Sequence, residues 1–226
     1  MRPFRTLLLA TLLASPAGAQ VSSLDEGSFT LMRGGERIGR EDFSIRSTPS
    51  AGVSAIVAHA VISMGPRRIE PSLNADTAGG VVNYETTVTE NGRVLIKYGG
   101  KLARDHFSAR ASRPEGESSR EFRLPAGTVA VEDEVVHQLW FVARRGPGAS
   151  VKVLAPLRNT IETVRISLVG NEHLSIDNRD LEARHLRLVT EGSGATKDVW
   201  LDPGGRLLKV TIAATRFAAV RDEVPR

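Results

Sequence analysis

The chain has 226 residues, no cysteine, and 30 lysines and arginines against 26 aspartates and glutamates. The missing thiols exclude disulfides, thiolate metal sites and the acyl-bearing cysteine of a lipoprotein. The small positive excess is spread without a basic block or an aromatic-rich basic strip, which argues against nucleic acid as a partner.

Arg2 and Arg5 precede an apolar run from Leu7 to Leu13, and Ser15-Pro16-Ala17-Gly18-Ala19 ends in small residues before Gln20. A basic start, a short apolar middle and an Ala-x-Ala exit are the parts of a secretory signal peptide, so residues 1–19 are expected to be cleaved off. The run is far short of the roughly 20 residues that cross a bilayer, and no second such segment follows. Residues 20–226 are expected to form one β-rich domain, soluble in the periplasm or secreted, large enough for a single core.

Period-2 patterns dominate that domain. Phe29 and Leu31 alternate with Ser28, Thr30 and Met32, and Gly34-Gly35 supplies a tight hairpin turn. On the return strand the apolar parity switches from Ile38 to Phe43 and Ile45, which predicts a bulge near Gly39 and a curved sheet. Val53 to Met64 is apolar on both parities and is expected to be buried on both faces. Further strands are expected near Arg68–Thr77, Val81–Thr89, Val94–Tyr98, Ala103–Ala111 and Ser119–Leu124. Gly79-Gly80, Asn91-Gly92, Gly99-Gly100 and Pro114-Glu115-Gly116 separate them, as in a meander.

From Glu132 to Arg145 the period changes. Val135, Val136, Leu139, Trp140 and Ala143 make a helical stripe, with acids at its start, Arg144-Arg145 at its end and Gly146-Pro147 as a stop. Strands resume at Val151–Leu154, Thr163–Val169, Leu181–Thr190, Lys197–Leu201 and Leu207–Thr215, the last pair joined by Asp202-Pro203-Gly204-Gly205. The tail from Arg221 is polar and is expected to fray.

This order, with Leu139-Trp140-Phe141-Val142-Ala143-Arg144 mid-chain, Val169-Gly170-Asn171-Glu172-His173-Leu174 next, and Val199-Trp200-Leu201-Asp202-Pro203-Gly204-Gly205 at the closing hairpin, resembles exported bacterial families of unknown function. The resemblance implies a curved antiparallel half-barrel or open barrel with one helix packed across it, similar in outline to the periplasmic lipoprotein carriers. It brings no activity with it, because an analogy of fold does not carry a function.

No catalytic constellation is found. Ser193, in Gly192-Ser193-Gly194, lacks a Gly-x-Ser-x-Gly elbow and a neighbouring base. Asp76-Thr77-Ala78 departs from the aspartic-protease turn at Ala78, and turn formation explains it better. His59, His106, His137, His173 and His185 have no metal-ligand spacing, although His173, Asp177 and His185 are candidates to gather with Glu172 and Asp180 if a hairpin brings them together.

The candidate ligand-binding residues are the aromatics Phe141, Trp200 and Trp140. Phe141 falls off the apolar stripe, beside Glu134, His137 and Gln138, and marks either a contact surface or a helix buried on both sides. Trp200 shares its face with Thr196 and Asp198, and either lines a groove or caps the hairpin by cross-strand packing. The expected function is non-enzymatic: a periplasmic binding or envelope-maintenance protein holding a lipid or another apolar or amphipathic ligand, with no cofactor. The alternatives are a module that pairs with an envelope protein through a sheet edge, and an unrecognised hydrolase or metal-dependent enzyme.

Overall fold

The computed structural model describes residues 21–50 and 53–225, so the expected leader, 1–19, lies outside the described residues. The first eight strands are β1 (Ser22–Arg33), β2 (Glu36–Ser50), β3 (Val53–Met64), β4 (Arg67–Ala75), β5 (Val81–Glu90), β6 (Arg93–Ala103), β7 (His106–Arg113) and β8 (Gly116–Arg123). After them come β9 (Val129–Ala130), the helix α1 (Leu139–Ala143), β10 (Ser150–Ala155), β11 (Thr160–Ile176) and β12 (Arg179–Thr190). The chain ends with β13 (Thr196–Leu201), β14 (Leu207–Ile212), a 3-10 turn (Ala213–Thr215) and β15 (Phe217–Arg221). Among the described residues all fifteen strands belong to one sheet, in the order β8 back to β1, then β15 back to β9. Two meanders are thus joined where β15 pairs with β1. The sheet is curved and open, and its end strands β8 and β9 do not meet.

Strand alternation makes the inner face. Phe29 and Leu31 on β1, Phe43 and Ile45 on β2, and Ile56, Ala58, Ala60 and Ile62 on β3 are all buried in one core. β3 is buried on this face only, since His59 and Ser63 on the other are exposed. Its outward Val57 and Val61 are half-buried, so its unbroken apolar run reflects β-propensity as well as burial. The bulge falls where the parity switch places it: Leu31 pairs with Gly39 and Met32 with Arg37, leaving Ile38 as the extra residue. Gly39 is needed there, because a Cβ would lie 2.1 Å from the Ser63 carbonyl oxygen.

Gly99-Gly100 is not a turn. β6 runs through both residues and turns only after Ala103. A Cβ on Gly100 would lie 2.3 Å from the Phe107 ring, whereas on Gly99 the nearest atom would be 4.0 Å away. The pair is therefore a packing device in mid-strand. Gly100→Ala is expected to cost about 1–3 kcal/mol by overpacking, while Gly99→Ala, outward and unobstructed, is expected to be neutral or slightly stabilising. Urea unfolding of the two variants checks this, and equal midpoints would contradict it.

The stretch from Leu124 to Ala149 fills the concave side. β9 lies inside the coil with Val129 and Ala130 fully buried, and the Val81 amide donates to the Thr128 carbonyl at 2.8 Å. The helix expected over Glu132–Arg145 is only Leu139–Ala143. The reason is competition from side chains. The amides of Val136 and His137 donate to Glu41, and that of Glu132 donates to the Gln138 side chain, so the residues before α1 are held as turns. β11 also continues through Gly170, with a bulge between Leu168 and Gly170, rather than ending at Val169. No described helix is long and apolar enough to cross a membrane.

Candidate functional site

Trp140, Phe141 and Trp200 are 7%, 0% and 7% exposed, so none of the three faces an open groove in this structure. Phe141 is fully buried beside the Gly79 turn, and Trp140 meets it edge-on at 5.0 Å under the Arg144 guanidinium. Trp200 is closed by its row partners. His185 of β12 stacks on it at 4.1 Å, and the Lys209 ammonium of β14 lies 4.8 Å from its ring centre. Its indole N–H donates to Glu172, whose other oxygen meets His185 Nδ1 at 2.6 Å, while His185 Nε2 meets Asp198 at 2.9 Å. This is the cross-strand cap, placed on the outer face with Ala183 and Leu208 and covered by Leu174 and Leu181.

His173, Asp177 and His185 do not come together. His173 pairs in register with Glu182, which alternates to the opposite face of β12 from His185, and its ring meets Asp180 instead. Asp177 sits in the hairpin turn with φ 49°. Among the described residues no group of three or more His, Asp or Glu is placed to hold a metal ion. Asp76 accepts from the Gly80 amide and Ser193 from the Ala195 amide, so both serve turns.

The concave face offers little room. The apolar recess among Val131, Leu139, Val142, Val153, Val164 and Leu188 holds about 30 Å³, roughly one water's share of space. A polar hollow lies instead where the two meanders meet. β15 pairs with β1 only from Phe29 to Arg33 and stops at Arg221, so Ser22–Ser28 of β1 and the start of β14 face each other with no strand between them. The gap holds a pocket of about 460 Å³, within the range of small-ligand sites.

Its floor is one side chain. The Arg221 guanidinium donates to Asp25 at 2.8 Å, to the Leu207 carbonyl at 2.9 Å and to the Glu26 carbonyl, so it ties β1 to β14 where the ladder fails. Asp25 also accepts from the Leu207 amide. Both side chains of the pair are almost fully buried. Burial raises the Asp25 carboxyl above its ordinary value of 3.8 against the lowering effect of the Arg221 charge. Gly27 is required, since a Cβ would stand 2.9 Å from the guanidinium. Behind the floor, Arg221 lies 5.4 Å from the Phe43 ring, which stacks on His137 at 5.8 Å. His137 in turn bonds Glu41 through Nδ1 at 2.7 Å, and both are fully buried.

Against the expectation of fraying, the described part of the tail is tied down at Asp222, whose amide donates to the Ser28 carbonyl at 3.0 Å. The Asp222 carboxylate accepts from Ser28 at 2.7 Å and from Thr30 at 2.6 Å, and pairs with Arg40 at 3.0 Å. Partial burial raises its pKa, but these hydrogen bonds and the Arg40 charge outweigh it and hold the group below 3.8. A carboxylate depressed on folding adds stability above its unfolded value and loses it as the pH falls through the folded value. The wild type is therefore expected to lose stability below about pH 4 more steeply than Asp222→Asn, read as urea midpoint against pH. Parallel curves would contradict this role.

Sequence reasoning missed Asp25, Glu41 and Arg221. Each stands on the parity of the apolar residues around it: Asp25 with Phe29, Glu41 with Phe43, and Arg221 with Phe217 and Ala219. A charge on an inward parity was the available signal.

No family model and no curated protein matches the chain. Among solved structures, it is similar to a beta-barrel-like protein of the domain of unknown function DUF1849 from Brucella abortus. That likeness has a TM-score of 0.53 and 11% identity, covering 90% of this chain and 97% of the other. A DUF1089 family protein from Pseudomonas aeruginosa aligns over 91% of this chain and 95% of its own at 15% identity, with a TM-score of 0.39. The first likeness shows a shared beta-barrel-like fold, and neither supplies a function.

Proposed function

We propose that this protein is an exported, non-enzymatic binding protein whose ligand seat is the gap between β1 and β14 rather than the concave face. One observation supports the seat above all: the sheet is interrupted there, and a pocket of about 460 Å³ stands over a buried, fully bonded ion pair. A rigid polar floor of this kind is suited to orienting a ligand. The inner face is filled by the protein's own segment, so a wholly apolar ligand has no room there. An amphipathic ligand fits the gap better, with its polar group over Arg221 and apolar contact at Leu24 and Val224. The basic, apolar and small-residue leader supports a periplasmic or secreted location.

Native mass spectrometry of protein purified gently from its own cells tests this. A bound small molecule is expected on the wild type and not on Ser23→Trp, which fills the gap from its exposed wall. Equal occupancy of the two proteins would refute the seat.

A second reading has an observation of its own. β8 is a terminal strand bonded on one side only, and all of its residues but Phe122 are exposed. A partner strand could add there, although Glu117, Arg120, Glu121 and Arg123 are also the charges that blunt free edges. Capture of an envelope protein that is lost on Ser119→Pro, with the fold intact, would favour this reading.

A further inference from the structure

The gap has more carboxylates than its guanidinium groups neutralise. Arg221 is paired with Asp25 at 2.8 Å, Arg40 with Asp42 at 2.8 Å and Asp222 at 3.0 Å, and Arg206 with Asp202 at 2.8 Å. Each arginine already has its acid, and Arg221 spends further N–H groups on two backbone carbonyls. Two acids of the lining are left over. Glu26 has only Arg46, at 3.4 Å and with both side chains more than half exposed. Glu223 makes no ion pair among the described residues, though it lies within the field of Arg40.

These contacts set the sign of the ligand. An anionic group entering the pocket would compete with carboxylates already seated on every guanidinium, and would meet Glu26 and Glu223 as like charges. A cationic nitrogen would meet the same two carboxylates with no existing strong pair to break. The neutralised floor below them makes no net demand of its own. Resting on the reading of the gap as a ligand seat, we infer that the recognised group of the ligand is an alkylammonium, held between Glu26 and Glu223 over the neutralised Arg221–Asp25 floor.

The test uses two probes of equal length and opposite charge, 1,5-diaminopentane and glutarate, followed by backbone amide NMR shifts of the mature protein at low salt. The diamine is expected to shift Glu26, Gly27 and Glu223 saturably, and to bind roughly tenfold more weakly to Glu26→Gln/Glu223→Gln. Added salt is expected to weaken it further. Displacement of the diamine by phosphatidylethanolamine vesicles but not by phosphatidylglycerol vesicles would place the ammonium on a lipid headgroup. Failure of both to displace it would place it on a soluble amine. Saturable shifts with glutarate but not the diamine, or with neither probe, would overturn the inference. The seat is judged separately: if a co-purified ligand is still lost on Ser23→Trp while the diamine fails to bind, the charge assignment falls and the seat stands.

Discussion

Replacing Glu41 by alanine is expected to destabilise the protein by about 3–5 kcal/mol, the range for removing one member of a buried, hydrogen-bonded charge network. Its carboxylate accepts from the Val136 amide at 2.8 Å, the His137 amide at 2.7 Å and His137 Nδ1 at 2.7 Å. Without it, three donors that are sealed from water have no acceptor, and each orphan costs about 1–3 kcal/mol. The loss should also be structural, because Glu41, with Phe43 stacked on His137, holds the inner segment against β2 just before α1. Urea unfolding measures it, with Glu36→Ala as the control: Glu36 is exposed in the first hairpin, and such surface changes stay within about 0.5 kcal/mol. Similar midpoints for the two variants would show that the inner segment is held by apolar packing alone.

Arg221→Ala is expected to cost a similar amount, about 3–5 kcal/mol, by leaving Asp25 charged and buried without its partner. The argument has a second half that separates it from simple loss of packing. Removing both charges, as in Asp25→Leu/Arg221→Met, is expected to recover much of the loss, because a buried pair roughly offsets its own desolvation. Recovery of stability should not bring recovery of binding, since the polar floor of the gap would be gone. If the double variant is as unstable as Arg221→Ala, the bonds from Arg221 to the Leu207 and Glu26 carbonyls are what matters, and the guanidinium acts mainly as a substitute for the missing strand.

Much of the fold is legible in the sequence because strand alternation is a local signal. Phe29, Leu31, Phe43 and Ile45 announce one inner face, and the parity switch at Ile38 announces the bulge. The rest depends on contacts between distant residues. Gly99-Gly100 reads as a turn until Phe107 is seen to need the space over Gly100. The stripe from Val135 to Ala143 reads as a long helix because local periodicity does not reveal that Glu41, 95 residues from Val136 in the chain, takes the amides that would have begun it. β15 leaves little local signal, because Phe217, Ala219 and Arg221 are too few to stand out, yet it joins the two meanders. The candidate site was hidden for the same reason. It exists because β15 stops at Arg221, level with Phe29, while β1 runs on to Ser22, and no local pattern encodes that difference in length. Phe141 lies off the helical stripe and Trp200 shares a face with Thr196 and Asp198, yet burial and cross-strand stacking account for where the structure puts them.

Hydrogen–deuterium exchange tests the proposed ligand seat most directly. Protein purified gently from its own cells would be compared with the same protein after denaturation, removal of small molecules and refolding. Greater protection in the native sample confined to residues 22–28, 206–208 and 221–224 is the result expected if the gap holds a ligand. Protection that differs instead along Gly116–Arg123, or nowhere in the domain, would contradict that account.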